Sequence, residues 1–174
     1  MIGSGIPRKG VQLFIEVAAL FEKKLLDYEF IWVGVLDETV YEIPNNMIVT
    51  GYLQSERLLL EIDRSSIMLL SSVEDPLPLA AFQCLSRYKK VVCYKDVGTA
   101  EWIYNIKGCA IFNNYNSSAA FRAVKSVIDV KLDTLSVDNA IAKLNADGYV
   151  KNISKFITRN KGSISDICFY IIVT

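Results

Sequence analysis

Histidine is absent from this chain of 174 residues, and its absence narrows the chemistry that the protein can perform. A chain without histidine has no Ser-His or Cys-His nucleophile pair and no histidine general base, and most zinc sites are excluded as well. We therefore expect no resident metal and no cofactor. Any reaction must rely on carboxylates, lysine, arginine, hydroxyl groups or backbone dipoles.

An excess of one charge and long apolar runs are also absent. Lysine plus arginine and aspartate plus glutamate both number 19, so bulk attraction to nucleic acid is not expected. No apolar run reaches about 18 residues, and the start of the chain lacks a basic segment followed by an apolar one. We expect neither a transmembrane helix nor a signal peptide, which leaves peripheral contact as the one membrane association still open.

Cysteines are few and show no C-x-x-C spacing. They lie scattered in apolar surroundings, a pattern that is typical of buried, reduced thiols in a cytoplasmic protein. The four are Cys84, Cys93, Cys109 and Cys168.

What the chain does contain is an alternation of short apolar runs with helical patterns. Such alternation predicts one α/β domain with a doubly wound, mostly parallel sheet and helices on both faces. Strands are predicted at 28–33, 47–50, 67–70, 91–94 and 109–112, and helices at about 9–26, 55–63, 79–87, 117–128 and 137–146. Ser55 is the expected N-cap of the second helix.

The two ends are less regular. Met1 and Ile2 resemble the remnant of a first strand, so we expect that strand to be truncated. Residues 1–159 are predicted to form the domain. A short linker begins at residue 160, and residues 167–174 form an apolar tail that is too short to cross a bilayer.

The loop after strand 67–70 is the strongest candidate for a ligand site. Glu74 and Asp75 end the apolar run, and Pro78 suits the first turn of the helix that follows. Free amides from Leu79 onward are placed where the helix dipole favours an anion. The segment therefore predicts contacts with a phosphate on one side and with hydroxyl groups on the other.

Two further loops are expected at the same edge of the sheet. One contains Gly3 and Gly5 followed by Arg8 and Lys9, which combines flexible backbone with two cations. The other follows strand 91–94 and contains Gly98. Since loops after parallel strands open onto one edge, the three together suit a nucleotide diphosphate joined to a hydroxylated group.

Five segments in this order resemble the C-terminal half of a GT-B glycosyltransferase, in the retaining group known as glycosyl transferases group 1, or family four. They are Arg8-Lys-Gly-Val-Gln-Leu-Phe-Ile-Glu16, Phe30-Ile-Trp-Val-Gly34, Val49-Thr-Gly51, Met68-Leu-Leu-Ser-Ser72 and Glu74-Asp-Pro-Leu-Pro-Leu79. The resemblance implies that the chain binds a nucleotide-sugar donor. It also implies that the acceptor-binding N-terminal domain is missing and that this chain alone transfers no sugar.

The resemblance assigns roles to individual residues. Arg8 and Lys9 would contact the donor diphosphate, and Asp75 would hold hydroxyl groups of the sugar. Position 83, where the family has a glutamate that grips the ribose, is Gln83 here. The remaining contacts would come from Gly5, Glu74, the amides of Leu77 and Leu79, Gly98 and Thr99, the last in place of a second glycine.

Two departures from the family's pattern support an alternative. Gln83 lacks the charge of the family's glutamate, and Tyr88 stands where a left-handed C-cap would strain it. The alternative is a non-catalytic binding or partner module that keeps the fold but has lost the donor. A flavodoxin-like receiver also fits the alternation, but the chain lacks the acidic cluster after the first strand that a magnesium site would need.

Overall fold

The computed structural model of the protein describes residues 1–37 and 39–144. The chain divides into two compact units, residues 1–141 and 142–174. Cys168, the linker and the apolar tail lie outside the described residues, and the proposed boundary at 159 stays a prediction. In the first unit, parallel strands are flanked by helices in a Rossmann-like arrangement, which confirms the predicted fold class.

Within residues 1–37 and 39–144, five strands form two parallel sheets. The strands are β1 (Phe30–Trp32), β2 (Met47–Val49), β3 (Ile67–Leu70), β4 (Lys90–Tyr94) and β5 (Ala110–Phe112). β1 pairs with β2, and β3, β4 and β5 pair in that order. Ile2 makes an isolated parallel bridge with Val33, at the place where the sequence predicts a truncated first strand.

In the part of the chain that the structure describes, six helices connect or follow the strands, and each predicted helix is present. They are α1 (Val11–Lys23), α2 (Ser55–Arg64), α3 (Leu79–Ser86), α4 (Ala100–Ile103), α5 (Ser117–Val127) and α6 (Thr134–Leu144). A 3-10 turn at Pro7–Lys9 precedes α1. The core between helices and strands is aromatic: the rings of Phe14 and Phe30 are 5.6 Å apart, and those of Phe21 and Phe121 are 4.8 Å apart.

Several helix ends differ from the predictions for local reasons. α1 begins two residues late, since Gly10 adopts a left-handed conformation (φ 69°) that no right-handed helix contains. α6 begins at Thr134, where the carboxylate of Asp133 accepts from the amide of Ser136 (3.3 Å). The expectation for Ser55 was wrong: it is the first helical residue, and Gln54 is the N-cap.

The strained turn expected at Tyr88 is present. Tyr88 has a φ of 55°, a conformation that costs a residue with a Cβ about 1 kcal/mol. The amides of Tyr88 and Lys89 donate to the carbonyls of Leu85 (2.8 Å) and Cys84 (2.9 Å), so the turn closes α3 despite the strain.

Candidate functional site

The three loops predicted to share an edge of the sheet are joined there by hydrogen bonds. The hydroxyl of Ser71 donates to the carbonyl of Lys9 (2.8 Å), and the amide of Val73 donates to the carbonyl of Arg8 (3.0 Å). On the other side, the amide of Gly98 donates to the carbonyl of Asp75 (2.9 Å). We call these three connected loops, residues 3–10, 71–78 and 95–99, the rim.

Gly10 allows the first two loops of the rim to approach each other. A Cβ at this position would lie 1.8 Å from the carbonyl oxygen of Ser71 and 2.5 Å from the hydroxyl of Tyr115. That hydroxyl donates to the same Ser71 carbonyl at 2.7 Å, and burial raises the pKa of Tyr115 to about 12. Glycine is therefore required here both for its left-handed φ and for the space it leaves.

An ion pair lies at the centre of the rim. The ammonium of Lys9 donates to the carboxylate of Asp75, with Nζ and Oδ2 2.6 Å apart. The two side chains are only 22% and 12% exposed. The structure thus brings the two residues with the most specific expected roles into direct contact. A charge-assisted bond of this kind is stronger than a neutral one and holds both groups in place.

The N-terminus of α3 adjoins Asp75. Pro78 is buried and is the N-cap of the helix rather than its first residue. The carbonyl of Pro78 accepts from the amide of Ala81 (2.9 Å), while no described residue accepts from the amide of Leu79. Leu77 and Leu79 are both half-buried. A free amide beside a helix N-terminus is a favourable place for an anionic ligand.

Gly98 and Thr99 pack tightly against the acidic loop. A Cβ on Gly98 would lie 1.8 Å from the carbonyl oxygen of Pro76, so no larger residue fits without movement. Thr99 is fully buried and has helical angles (φ −64°), so a second glycine is not required by the backbone. Its hydroxyl has no hydrogen-bond partner among the described residues.

The remaining candidates lie around this centre. The side chains of Arg8 and Glu74 are exposed, and Gln83 is half-buried on α3. Gly5 packs against the segment that follows β1, where a Cβ would meet the carbonyl oxygen of Val35 at 2.6 Å. The structure therefore brings Lys9, Asp75 and Gly98 together, while Arg8 and Glu74, their neighbours in sequence, are exposed.

Two residues at the rim are not predicted by the sequence patterns. Tyr115 is held against Ser71 as described above, and only the packing reveals it. Ser72 is fully buried in the acidic loop with no partner for its hydroxyl among the described residues. The sequence signals for Ser72 are its place in a serine pair at the end of an apolar strand and in the segment Met68-Leu-Leu-Ser-Ser72, which carries part of the family resemblance.

The described cysteines are free, as expected. Burial raises the pKa of Cys84 to about 11 and that of Cys93 to about 12, and it also raises the pKa of Cys109. These thiols therefore remain protonated near neutral pH. No helix in the part of the chain that the structure describes is long and apolar enough to cross a membrane.

Comparison with known proteins decides the family. The sequence model of the family described as glycosyl transferases group 1 matches residues 1–156. The chain belongs to this family. It is a GT-B glycosyltransferase domain, and the resemblance seen in its motifs is confirmed. No curated protein is similar enough in sequence to count as a match.

Solved structures share the fold at low sequence identity. A mutant of S. aureus TarM, in complex with Fondaparinux, alpha-GlcNAc-glycerol and UDP, matches with a TM-score of 0.65 and 15% identity, over 90% of this chain and 34% of that one. An E. coli structure described as trehalose-6-phosphate bound with UDP-2-fluoro glucose matches with a TM-score of 0.66 and 14% identity, over 91% and 42%.

A shorter structure matches over most of its own length. It is the C-terminal domain of a glycosyl transferase group 1 family protein (LpcC) from Francisella tularensis, with a TM-score of 0.60 and 18% identity, covering 89% of this chain and 84% of that one. By contrast, this chain spans 34% to 45% of the length of TarM and of a sucrose-phosphate synthase from Thermosynechococcus elongatus. At these identities the likeness shows the fold.

Proposed function

We propose that this chain is the donor-binding half of a retaining glycosyltransferase, which moves a sugar from a nucleotide diphosphate onto a glycan or lipid-linked acceptor. The ion pair between Lys9 and Asp75 carries this proposal, since it places a cation and a carboxylate together at the edge of the sheet where the carboxyl ends of the parallel strands meet. The UDP and UDP-sugar bound in two structures of the same fold support a donor of that class. We also propose that the protein is cytoplasmic.

The geometry suits binding of both parts of the donor at once. An ammonium has three N–H donors, and among the described residues Lys9 donates only to Asp75. The other two are available to diphosphate oxygens, while the second oxygen of Asp75 is available to a sugar hydroxyl. The helix dipole of α3 and the free amide of Leu79 would add to the anion's stabilisation.

The same groups would promote the chemical step. When the sugar leaves, negative charge develops on the departing diphosphate. Lys9 and the N-terminus of α3 are already oriented by the protein, so they stabilise that charge without reorganising. Arg8, exposed beside them, would add a second cation. The acceptor would be held by a separate N-terminal domain, so these 174 residues alone bind donor and transfer no sugar.

Calorimetric titration with uridine, guanosine and adenosine diphosphates tests the proposal. We expect a dissociation constant at or below about the millimolar range for at least one of them. Lys9→Ala should weaken binding by at least about tenfold, because a charge-assisted bond contributes roughly 1.5–3 kcal/mol. Asp75→Asn should weaken binding of the nucleotide sugar more than that of the diphosphate. Lys23→Ala, an exposed lysine at the far end of α1, is the control.

The second candidate is the non-catalytic module, which the neutral side chain at Gln83 favours. Under that proposal none of the diphosphates or nucleotide sugars binds. Binding that is insensitive to both Lys9→Ala and Asp75→Asn would argue against a donor site at the rim. Turnover of a nucleotide sugar by the purified chain would contradict the expectation that it transfers no sugar.

A further inference from the structure

Tyr115 joins a fourth loop to the rim. It lies in the turn between β5 and α5, outside the three loops that define the rim, and its hydroxyl donates to the carbonyl of Ser71 at 2.7 Å. Ser71 is fully buried, and among the described residues only Tyr115 donates to this carbonyl. The Tyr115 hydroxyl therefore pairs a buried acceptor at the start of the acidic loop, a group that is costly to leave without a partner.

The position of Tyr115 is fixed by its neighbours on both sides. The amide of Asn116 donates to the carbonyl of Asn114 (2.8 Å), and the Asn116 side chain accepts from the amide of Ala119 (2.8 Å) as the N-cap of α5. The ring of Tyr115 meets that of Tyr94, the last residue of β4, edge to face with 5.1 Å between the ring centroids. The hydroxyl is thus held in place by a helix cap and by a strand end.

Ser71 connects this hydroxyl to Lys9. The carbonyl of Ser71 accepts from Tyr115, while its own hydroxyl donates to the carbonyl of Lys9 (2.8 Å). Gly10 packs against both partners, since a Cβ there would lie 1.8 Å from the Ser71 carbonyl oxygen and 2.5 Å from the Tyr115 hydroxyl. A shift of Ser71 would therefore displace the backbone at Lys9.

The backbone of Lys9 in turn determines where its ammonium lies. The amide of Lys9 donates to the carbonyl of Ile6 (3.0 Å) within the 3-10 turn, so both polar groups of its backbone are paired. From this fixed backbone the side chain reaches Asp75, with Nζ and Oδ2 2.6 Å apart. Asp75 belongs to the same loop as Ser71. Ser71 thus holds the backbone of the cation and lies in the loop that carries the acid.

We propose that Tyr115 is a positioning residue of the donor site: by holding the Ser71 carbonyl, it fixes the geometry of the ion pair at the centre of the rim. Its effect on ligand affinity rests on the proposed function, whereas its effect on the ion pair does not. Burial raises the pKa of Tyr115 to about 12, so the phenol stays protonated and remains a donor at neutral pH. Tyr115 acts through Ser71 and is not a catalytic residue.

The first test needs no ligand. The coupling between Lys9→Met and Asp75→Asn in urea unfolding measures how strongly the two side chains interact. Tyr115→Phe removes only the hydroxyl, and in this background we expect the coupling to fall to about half of its wild-type value or less. A tyrosine that merely stabilised the fold would lower the stability of every variant equally and leave the coupling unchanged. Tyr104→Phe, at a tyrosine that is 75% exposed, is the matched control.

Ser71→Ala tests whether the effect passes through Ser71. This substitution removes the hydroxyl that donates to the Lys9 carbonyl, so it should also reduce the coupling within the ion pair. Because Tyr115 and Ser71 act in series, adding Tyr115→Phe to Ser71→Ala should reduce the coupling little further.

Calorimetric titration with the same nucleoside diphosphates measures the consequence for the donor site. We expect Tyr115→Phe to weaken binding about fivefold, which corresponds to the loss of one neutral hydrogen bond, and Tyr104→Phe to leave the affinity unchanged. If the wild-type protein binds no diphosphate, the proposed function fails, while the coupling still shows whether Tyr115 positions the ion pair. The two failures are therefore distinguishable.

Four results would overturn the inference. The first is an unchanged coupling in the Tyr115→Phe background, which would leave Tyr115 a stabilising residue only. The second is additive losses for Lys9→Met and Asp75→Asn in the otherwise wild-type protein, because no interacting pair would then exist to be positioned. The third is an additive effect of Tyr115→Phe and Ser71→Ala on the coupling. The fourth is equal diphosphate affinity of the wild-type protein and the Tyr115→Phe variant.

Discussion

The ammonium of Lys9 lies 2.6 Å from the carboxylate of Asp75, although 66 positions separate the two residues in the chain. Lys9 ends the 3-10 turn before α1, and Asp75 lies in the loop after β3. Their contact means that the cation and the acid of the candidate donor site hold each other in place before any ligand arrives. The site is thus preorganised, which reduces the cost of ordering on binding.

Breaking this pair should destabilise the fold moderately. Ion pairs that are fully exposed to solvent contribute roughly 0–1 kcal/mol to stability, whereas removing one partner of a buried ion pair lowers stability by about 3–5 kcal/mol. At exposures of 22% and 12% we expect a loss of about 1–2 kcal/mol for Lys9→Met, measured by urea unfolding. Combined with Asp75→Asn, the double variant should lose less than the sum of the two single losses. Additive losses would show that the contact between the two side chains contributes nothing to the free energy of unfolding.

Gly98→Ala should disturb the contact between two loops of the rim. The new Cβ would lie 1.8 Å from the carbonyl oxygen of Pro76, so the loops must separate. We expect a loss of about 1–3 kcal/mol in the free energy of unfolding and weaker binding of diphosphates. Gly3→Ala is the matched control. A Cβ at Gly3 would lie 3.5 Å from its nearest neighbouring atom, so the melting temperature of this variant should hardly change. Equal effects of the two substitutions would contradict the steric explanation.

Gln83→Glu should strengthen nucleotide binding if the ribose lies where the family resemblance implies. Restoring a carboxylate replaces a neutral hydrogen bond by a charge-assisted one, and the expected gain is about tenfold in affinity. Calorimetry with a ribonucleoside diphosphate measures it. The 2′,3′-dideoxy analogue should show no gain in affinity, since it lacks the ribose hydroxyl groups. A gain with both ligands would show that position 83 does not act through the ribose hydroxyls.

Stability should rise with pH between about 5 and 8. Burial lowers the pKa of the Met1 amine from 8.0 to about 5 in the folded protein. Between these values the unfolded chain binds the proton and the folded chain does not, so the free energy of unfolding increases with pH, by up to about 1.4 kcal/mol per unit. The chain has no histidine to titrate in this range.

Unfolding in urea at half-unit pH steps measures this dependence. Protein acetylated at its N-terminus is the control, because it has no amine to titrate and its stability should be nearly constant over the same range. A rise of the same size in the acetylated protein would assign the dependence to other groups.

Local patterns in the chain are sufficient for the fold and for the position of the rim. Alternation of apolar strands with amphipathic helices indicates a parallel sheet, and in such a sheet the loops after the strands meet at one edge. For this reason the sequence alone assigns the loops of Lys9, Asp75 and Gly98 to one rim. Helix ends are less predictable: α1 begins late because Gly10 is left-handed, and that depends on its neighbours.

Those neighbours are distant in the chain, so only the tertiary structure determines where α1 begins. Gly10 must leave room for the Ser71 carbonyl and the Tyr115 hydroxyl, which come from two other loops. The pairing of Lys9 with Asp75 likewise depends on how whole elements pack. Composition and periodicity determined which residues lie at the rim, because strand and helix formation are local. Which of them touch is set by long-range packing, which no local pattern records.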